Sequence, residues 1–542
     1  MISISLTRRQ SRSVLSILVT LILVTAMLAA MASTASAAAC VVVNVGTGQR
    51  YSAALQSGID EAEPGATLRI SGVCVGNFTV DKDLTLQGKP TRANPGRPTL
   101  DGNMQGTVLT VSFFGATVAV NNLNVTRGIE SGIRNGGILE LNGSSSVSGN
   151  TASLGGGINN GGDLILNDSS VVKGNTATLG GGIFTSGGTI TLNRSSSIEG
   201  NTSELAGGGI YHLGFDITLN DSSSVSGNTA IAGGGIWSPG GGPITLNDSS
   251  RVSGNTATTF GGGGIDVHFT DVTLNDSSSV SKNAAEGDGG GIESDADSFI
   301  ALNDSSSVSG NIASFGGGIH SFGTVTLSDQ SSVSGNTDFG AGGGIFNDEF
   351  AFLILDDSSS VKGNLSMGAK GGGIVNSGIV TMNDSSSVRG NTADFGAGGG
   401  ISNFGSLTMN DSSTVSGNSA DSGFGGGIDN AATLILNDSS SVRGNTAEFS
   451  SGGGIYNNQG DIALNDFSSV TGNSVVDGFG GGIYNGEGNI TLSGFSSVTR
   501  NLAGTGGGIY NDGGSVFVCA GSAVRLSPND PDDPLITIPI DC

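Results

Sequence analysis

The chain has 542 residues, of which 96 are glycine, and its 46 acidic residues outnumber 21 lysines and arginines to give a net charge of −25. Glycine lacks the strict period of three that collagen needs, and the helix-forming residues of a coiled coil do not dominate. A hydrophobic content of 36% argues against a disordered chain. The acidic balance argues against nucleic acid as a partner, because phosphate binding requires a basic surface.

The first 38 residues have the features of a secretory signal. Arg8, Arg9 and Arg12 precede an apolar run from about residue 14 to residue 30, and Ala35-Ser36-Ala37 fits the small-residue cleavage pattern. The alternative is a retained membrane anchor, which the small residues at the end of the run disfavour. No later stretch reaches the ~18 consecutive apolar residues of a membrane helix. We therefore predict a secreted or cell-surface (cell envelope) protein with no transmembrane segment after signal cleavage.

The four cysteines lie in two pairs, one near each end of the mature chain. Four cysteines allow three pairings. The local pairing, Cys40–Cys74 with Cys519–Cys542, would hold each end separately, and an oxidising compartment permits it. Cys40 is alternatively a lipoprotein cysteine, although Ala37 stands where a lipidation motif usually has leucine.

Residues 39–130 lack the regular repeat of the rest of the chain, and we predict that they form an N-terminal cap and the first irregular coils. The segment from Tyr51 to Glu63 has the spacing of a short amphipathic helix, and Leu84-Thr-Leu-Gln-Gly88 follows as a strand. This arrangement resembles the entry segment of secreted parallel β-helix proteins, including pectin-active enzymes, in which a helix caps the first coil. Some cap is expected, because the open end of a parallel stack would pair with other chains.

Residues 131–511 are dominated by an internal repeat. The tetrapeptide Gly-Gly-Gly-Ile recurs with its isoleucine at Ile158, Ile183, Ile210, Ile236, Ile265, Ile292, Ile319, Ile345, Ile374, Ile401, Ile428, Ile455, Ile483 and Ile509. A degenerate first copy ends at Ile133, and the fourteen steps from there average about 27 residues. The signal is strong enough to decide the architecture.

Each repeat contains short extended pieces and no room for a helix of ~10 residues. In one unit, Ile210 begins a strand after its glycines, Ile217-Thr-Leu alternates apolar and polar, and Val225-Ser-Gly-Asn228 is a third extended piece. Such a unit cannot bury its apolar face alone but can do so between identical neighbours. We therefore predict an all-β fold, a right-handed parallel β-helix (β-solenoid) of about fifteen coils ~4.8 Å apart.

Two polar columns would run along this solenoid. One asparagine per repeat, from Asn150 to Asn501, is expected to form a hydrogen-bonded amide ladder. An aspartate follows asparagine in most turns, as at Asp221 and Asp248, where it can bond local backbone. The alternative for the aspartates is a calcium ladder. No cofactor is otherwise expected, and calcium stays a minor possibility because the calcium-binding nonapeptide pattern does not recur.

The two repeated blocks resemble those of the polymorphic outer-membrane proteins of the chlamydial type. Gly-Gly-Gly-Ile pairs here with Val-x-x-Asn, as at Val147 to Asn150 and Val442 to Asn445. The family has alanine in place of the third glycine and phenylalanine in place of valine. Its C-terminal transmembrane β-barrel has no counterpart here, because the ~10-residue alternating strands are missing. The resemblance implies a β-helical passenger with surface or adhesive roles.

Residues 512–542 are predicted to close the other end as a C-terminal cap. Four prolines, Pro528, Pro531, Pro534 and Pro539, interrupt any further regular coil in this segment.

Candidate catalytic residues lie where the repeat is least regular. The position after the repeat isoleucine carries Asp266, Glu293 and His320 in three successive coils. Stacked carboxylates ~5 Å apart suit paired acid–base chemistry on a polysaccharide. Further acidic residues and a histidine lie nearby at His268, Asp271, Glu286, Asp288, Asp295 and Asp297. The competing interpretation is variable solvent-facing sequence, and the cluster has no lysine or arginine for lyase chemistry.

The same position carries aromatic residues in other coils, namely Phe184, Tyr211, Trp237, Tyr456, Tyr484 and Tyr510. Such rings could bind sugar rings or a partner surface. They could equally stabilise neighbouring strands by packing, which we consider the better supported role.

The sequence thus predicts a secreted or cell-surface scaffold or adhesin-like protein that binds through its repetitive faces, with a carbohydrate or cell-surface partner. The alternative is a polysaccharide hydrolase or lyase on a pectin-lyase-like fold, with its site near Asp266 and Glu293. Ice binding is a weaker third hypothesis. An ice-binding surface requires flat columns of threonine, whereas these turns carry serine and aspartate. Enzyme activity is left open, and the even distribution of charge favours the scaffold.

Overall fold

The repeat isoleucines begin strands that stack in register along one axis. Ile265 pairs with Ile292, which pairs with Ile319 of the following coil. The computed structural model describes residues 39–92, 95–112, 115–527, 529 and 538–540, and the predicted signal segment lies outside them. The described chain forms a parallel β-solenoid of about 16 turns with about 27 residues per turn, which confirms the predicted fold class.

A regular turn of the solenoid contains four short strands. In one coil these are Ile210–His212, Ile217–Leu219, Ser224–Ser226 and Thr229–Ala230. We number the sheets that these strands build as sheets 1 to 4 in this order. The sequence predicted three strands per unit; the fourth is often only two residues long, too short to show a period-two pattern.

Sheets 1 and 3 both run almost the whole length of the rod. Sheet 1 consists of Phe78–Val80, Leu109–Val111, Ile133–Asn135, Ile158–Asn160, Ile183–Thr185, Ile210–His212, Ile236–Ser238, Ile265–Val267, Ile292–Ser294, Ile319–Ser321, Ile345–Asn347, Ile374–Asn376, Ile401–Asn403, Ile428–Asn430, Ile455–Asn457, Ile483–Asn485 and Ile509–Asn511. Sheet 3 consists of Val73–Val75, Thr99–Asp101, Asn124–Thr126, Ser146–Ser148, Val171–Lys173, Ser197–Glu199, Ser224–Ser226, Arg251–Ser253, Ser279–Ser281, Ser307–Ser309, Ser332–Ser334, Ser360–Lys362, Ser387–Arg389, Thr414–Ser416, Ser441–Arg443, Ser469–Thr471 and Ser497–Thr499.

Sheets 2 and 4 differ in extent. The 21-stranded sheet 2 consists of Val41–Asn44, Arg50–Ser52, Ala66–Ser71, Leu84–Gly88, Thr117–Asn121, Ile138–Asn142, Asp163–Leu166, Ile190–Leu192, Ile217–Leu219, Ile244–Leu246, Val272–Leu274, Phe299–Leu302, Thr324–Leu327, Phe352–Leu355, Ile379–Met382, Ser406–Met409, Thr433–Leu436, Asp461–Leu464, Asn489–Leu492, Ser515–Cys519 and Ile538–Ile540. The 13-stranded sheet 4 consists of Thr151–Leu154, Thr176–Leu179, Thr202–Ala206, Thr229–Ala230, Thr256–Ala257, Ala284–Ala285, Ile312–Phe315, Thr337–Ala341, Leu365–Ser366, Thr392–Ala393, Ser419–Ala420, Thr446–Ala447 and Ser474–Val475.

The core is a continuous apolar column enclosed by sheets 1 to 3. A single coil contributes Ile210, Ile217, Leu219 and Val225, all fully buried. Each of these side chains lies over its equivalent in the coils before and after, so a repeat that could bury little by itself buries its whole apolar set in the stack.

The predicted asparagine ladder is confirmed, and it lies inside the solenoid. The side-chain amide of Asn283 donates to Oδ1 of Asn311 at 3.0 Å, and the same oxygen accepts the backbone N–H of Asn283 at 2.9 Å. The Asn311 amide in turn donates to the Val280 carbonyl and to Asn336 Oδ1. The turn backbone therefore bonds asparagine amides where water cannot reach it.

The aspartate column is exposed and bonds backbone between coils. Asp221 and Asp248 have φ angles of 58° and 57°, in the left-handed region that aspartate tolerates. The backbone N–H of Asp221 donates to the Asp248 carboxylate at 2.9 Å, one coil further on. This differs from the predicted bond to backbone two residues on, because the left-handed turn directs the N–H along the axis.

The triple glycine before each repeat isoleucine is required by close contact between coils. At residues 289–291, Gly289 has a φ of 57°, and a Cβ on Gly290 would lie 2.5 Å from the Gly317 carbonyl oxygen of the next coil. Any side chain at that position would separate the two coils at this corner.

The N-terminal end is covered by the predicted helix, which spans Leu55–Glu61 and buries Leu55 and Ile59. The entry strand Val41–Asn44 runs antiparallel to Ala66–Ser71, unlike the stacked strands of the rod. Across the described residues no helix is long and apolar enough to span a membrane.

The disulfide Cys40–Cys74 is confirmed, with the two Cα atoms 4.7 Å apart. It joins the residue before the entry strand to the first strand of sheet 3, which begins at Val73. Cys519 is also disulfide-bonded, and its predicted partner, Cys542, lies outside the described residues.

Replacing both Cys40 and Cys74 by serine should loosen the first coils and leave the rest of the rod unchanged. The bond closes a segment of 34 residues, so its loss should lower the local opening free energy by about 4 kcal/mol. Hydrogen–deuterium exchange of peptides from residues 41–80 should accelerate, while peptides from residues 265–345 serve as the internal control. Equal acceleration in both regions would contradict a coil-by-coil distribution of stability.

Candidate functional site

The residue after each repeat isoleucine faces outward from sheet 1, and we call this series the outer column. Its residue type changes along the rod, unlike that of the asparagine ladder. Successive members pair in register, Trp237 with Asp266, Asp266 with Glu293, and Glu293 with His320. The structure therefore brings together the three residues that the sequence singled out as candidate catalytic groups.

Asp266 is almost completely buried although it belongs to an outward-facing column. Only 3% of its surface is exposed, and its Oδ1 lies 3.2 Å from Nε2 of His268. Burial raises the pKa of Asp266 against the opposing effects of His268 and of a hydrogen bond from Trp237. The Asp266 carboxylate in turn raises the pKa of His268.

His320 lies between two carboxylates. Its Nε2 is 3.3 Å from Asp348 Oδ2 and its Nδ1 is 3.4 Å from Asp288 Oδ2. The rings of Phe322 and Phe346 pack against it, with centroids 4.7 and 5.0 Å away. Burial disfavours the charged imidazole, but the two carboxylates outweigh it and raise the pKa of His320 to about 9.

Glu293 lies between Asp266 and His320 on the outer column and pairs in register with both. Burial, reinforced by the neighbouring Asp266 charge, raises the pKa of Glu293 to about 8. Its carboxylate lies directly over Gly261, where any Cβ would collide with it. We call Asp266, His268, Asp288, Glu293, His320 and Asp348 the acid–histidine cluster. Asp348 was missed from the sequence, because it lies in the turn after Phe346 and reaches His320 only through coil stacking.

The acid–histidine cluster contains a carboxyl group suited to general acid catalysis, as a glycosidase requires, but it is poorly accessible to a polymeric substrate. A carboxyl group that keeps its proton near neutral pH can act as a general acid, and Glu293 has that property. Of the two carboxylates, Asp266 is only 3% exposed and Glu293 is half-buried, so a polysaccharide lying on the surface would not reach Asp266. The geometry favours a site for something small over direct acid–base attack on a polymer.

The predicted aromatic residues form two stacked blocks on the outer column. The centroids of Phe184 and Tyr211 lie 5.2 Å apart, and Tyr211 lies 4.6 Å from Trp237. The Tyr456 and Tyr484 rings are 5.0 Å apart and tilted by only 9°. Stacked rings cover one another's faces, which supports the packing role and leaves mainly ring edges for a ligand.

An open groove of about 690 Å³ lies at the beginning of the outer column, before the first aromatic block. Thr110, Arg134 and Asn159 form its floor, and Glu130 and Ser186 stand among its walls. Sequence reasoning missed this groove because its walls come from the irregular first coils. The signal was nevertheless present, since Arg134 occupies the same position after the repeat isoleucine as Phe184.

Exposed phenylalanines flank sheet 1 on both sides. In the turns from sheet 1 to sheet 2, Phe350 is 80% exposed, and in the turns from sheet 4 to sheet 1, Phe395 is 73% exposed. The exposed phenylalanines of these two flanks are Phe215, Phe260, Phe269, Phe315, Phe322, Phe339, Phe350, Phe395, Phe404, Phe424, Phe449 and Phe479. The outer face of sheet 3 instead carries small and basic residues such as Lys173, Arg251 and Arg443. Two other exposed phenylalanines, Phe467 and Phe495, lie in turns from sheet 2 to sheet 3, so exposed rings are concentrated beside sheet 1. Apolar exposure of this extent is typical of an interaction surface.

The stacked parallel coils define a protein of the parallel β-solenoid class. No known protein family, curated protein or solved structure matches the chain. The resemblance to the polymorphic outer-membrane proteins therefore rests on the repeated sequence blocks alone.

Proposed function

We propose that the protein is an exported scaffold, displayed at the cell surface or secreted, that binds a neutral polysaccharide along the outer column of sheet 1. The observation that carries this proposal is the continuity of the groove with the aromatic block from Phe184 to Trp237, because Asn159 of the groove pairs in register with Phe184. Extended polymers suit a surface that repeats at each coil. The repeat resemblance adds support for a surface or adhesive role.

Charge selects among possible partners. The net charge of −25 would repel polyanions such as acidic polysaccharides at low salt. A neutral chain meets no such barrier, and its hydroxyl groups can bond Arg134, Glu130 and Asn159 in the groove, all of which present polar side chains there. The apolar faces of sugar rings can contact the exposed edges of Tyr211 and Trp237, which remain partly exposed although their faces stack on neighbouring rings.

Arg134→Ala and Tyr211→Ala should each weaken binding of a neutral glycan about tenfold, or about 1.4 kcal/mol, in a binding titration over a panel of neutral and acidic polysaccharides. Arg251→Ala on sheet 3 and Phe467→Ala, whose ring is 62% exposed on a turn away from sheet 1, are the matched controls and should bind as the unaltered protein does. Tighter binding of an acidic polysaccharide, or equal losses in the controls, would contradict the proposal.

The second candidate is a polysaccharide hydrolase or lyase, which the proximity of Asp266 and Glu293 and the raised pKa of Glu293 favour. The same incubations, followed by product size with and without calcium, decide between the two. Chain shortening that disappears in Asp266→Ala or Glu293→Ala would replace the scaffold proposal with an enzyme. Intact polysaccharide throughout is the result we expect.

A further inference from the structure

We propose that Asp288, Glu293 and His320 bind a divalent transition-metal ion of the zinc type. Each of the three offers one ligand atom, and these atoms all lie within 4.8 Å of one another. The three residues come from two neighbouring coils, since Asp288 precedes the strand Ile292–Ser294 and His320 lies in the strand Ile319–Ser321. The site is independent of the polysaccharide groove, which lies in the first coils.

The first independent observation is the state of His320 Nδ1. His320 is only 5% exposed, and its Nδ1 makes no hydrogen bond within the described part of the chain. A buried ring nitrogen without a hydrogen bond is costly. This nitrogen faces Asp288 and Glu293, so a metal ion bound to both carboxylates would also satisfy it.

The spacing of His320 and Asp288 fits a shared ion better than a hydrogen bond. His320 Nδ1 and Asp288 Oδ2 are 3.4 Å apart, and the approach does not have the geometry of a hydrogen bond. Two ligands bound at about 2.0–2.1 Å to a tetrahedral zinc ion lie about 3.3 Å from each other. The observed separation is therefore that of two corners of a tetrahedron.

The other nitrogen of His320 already has the partner that a metal-binding histidine usually has. Nε2 hydrogen-bonds Asp348 Oδ2 at 3.3 Å. A carboxylate on the distal nitrogen retains the Nε2 proton, so a metal ion would displace the proton of Nδ1 and bind there, and the carboxylate makes the imidazole a stronger ligand. Asp348 would thus act as a positioning residue, and Phe322 and Phe346 hold the ring orientation by packing.

The charges and ligand types select the kind of ion. Asp288 and Glu293 are half-buried carboxylates of one coil that repel one another unless a cation lies between them, and Asp266 of the preceding coil adds to this repulsion at Glu293. Calcium and magnesium prefer sets made of oxygen alone, and calcium takes six to eight of them. One imidazole with two carboxylates suits zinc and its neighbours, with the fourth position left for water.

The test is a zinc titration of the purified protein in competition with a chromogenic chelator. We expect one equivalent to bind and expect excess calcium or magnesium not to displace it. His320→Gln and Glu293→Gln should each lower zinc affinity about 100-fold or more, and Asp348→Asn should lower it about 10- to 100-fold. The control is Asp429→Asn, which alters a half-buried acid on the same outer column that belongs to no proposed ligand set. This variant should bind zinc as the unaltered protein does.

A second measurement does not depend on the variants folding. Cobalt added to the unaltered protein should give the intense visible absorption of a four-coordinate ion, and zinc should abolish it. Substoichiometric zinc binding, displacement by calcium, unchanged affinity in both ligand variants, or the weak spectrum of six-coordinate cobalt would each overturn the proposal.

Discussion

Replacing Asn311 by alanine should lower the free energy of unfolding of the surrounding coils by about 4 kcal/mol, because it breaks the buried amide ladder in the middle of the rod. The substitution removes the acceptor of two N–H donors of Asn283 and the donor to the Val280 carbonyl. All three partners are buried, so water does not replace the lost bonds, and each unsatisfied group costs about 1–3 kcal/mol.

The matched control is Asn303→Ala in the same coil. Asn303 belongs to a second asparagine ladder, at the end of sheet 2, where it is half-buried and donates to Asn275 Oδ1 at 2.9 Å. Water can replace that bond, so we expect a loss of about 1 kcal/mol or less. Denaturant unfolding followed by hydrogen exchange around residues 280–336 measures both variants. Equal losses would show that burial of the ladder adds nothing.

The Asn311 ladder is also the part of the structure that the sequence predicted best. A strictly periodic residue must occupy the same place in every coil, so the identity of Asn311 and its equivalents was sufficient to predict amide stacking. The second ladder at Asn303 and the short strand Thr256–Ala257 were not predicted from the sequence, for two different reasons. Asn303 was taken only as a turn residue, and two residues are too few to display a period.

Non-repetitive positions were predictable only where stacking alone determines their neighbours. Asp266, Glu293 and His320 follow the repeat isoleucine, so the coil period placed them side by side in advance. Asp288 lies in a turn of variable length before its repeat isoleucine. Asp348 stands three residues after Ile345, so the period places its backbone in the next coil but does not determine that its side chain turns toward His320. Whether an outward residue is exposed also depends on the turns that fold over it, which explains why Asp266 proved to be buried.

Asp338→Ala should stabilise the rod, and the gain should grow with pH. Asp338 is fully buried in sheet 4, where it pairs with Ala313 of the preceding coil and Ser366 of the next. Burial raises the pKa of Asp338 to about 7, although Ser366 and the Gly340 N–H oppose the shift. Neither carboxylate oxygen has a hydrogen bond of good geometry, so the ionised form is poorly accommodated.

The sign follows from the higher proton affinity of the folded state. An unfolded aspartate titrates near pH 4, so the contribution of Asp338 to stability is greatest below about pH 4 and falls as the pH rises to about 7. The fall approaches about 4 kcal/mol for a shift of about three pKa units. Asp338→Ala removes this dependence, so its advantage in denaturant unfolding should be about 4 kcal/mol larger at pH 8 than at pH 4.

Two further variants isolate the charge from the change in volume. Asp338→Asn keeps the shape of the side chain and removes its titration, so its stability should have the same pH profile as that of the alanine variant. Ala313→Asp places a carboxylate at the paired position of the preceding coil, where Ala313 is fully buried, and should create a second loss of stability as the pH rises. A pH profile that is the same with and without a carboxylate at residue 338 would mean that Asp338 is ionised in the folded rod without cost, and that the coil opens there to water.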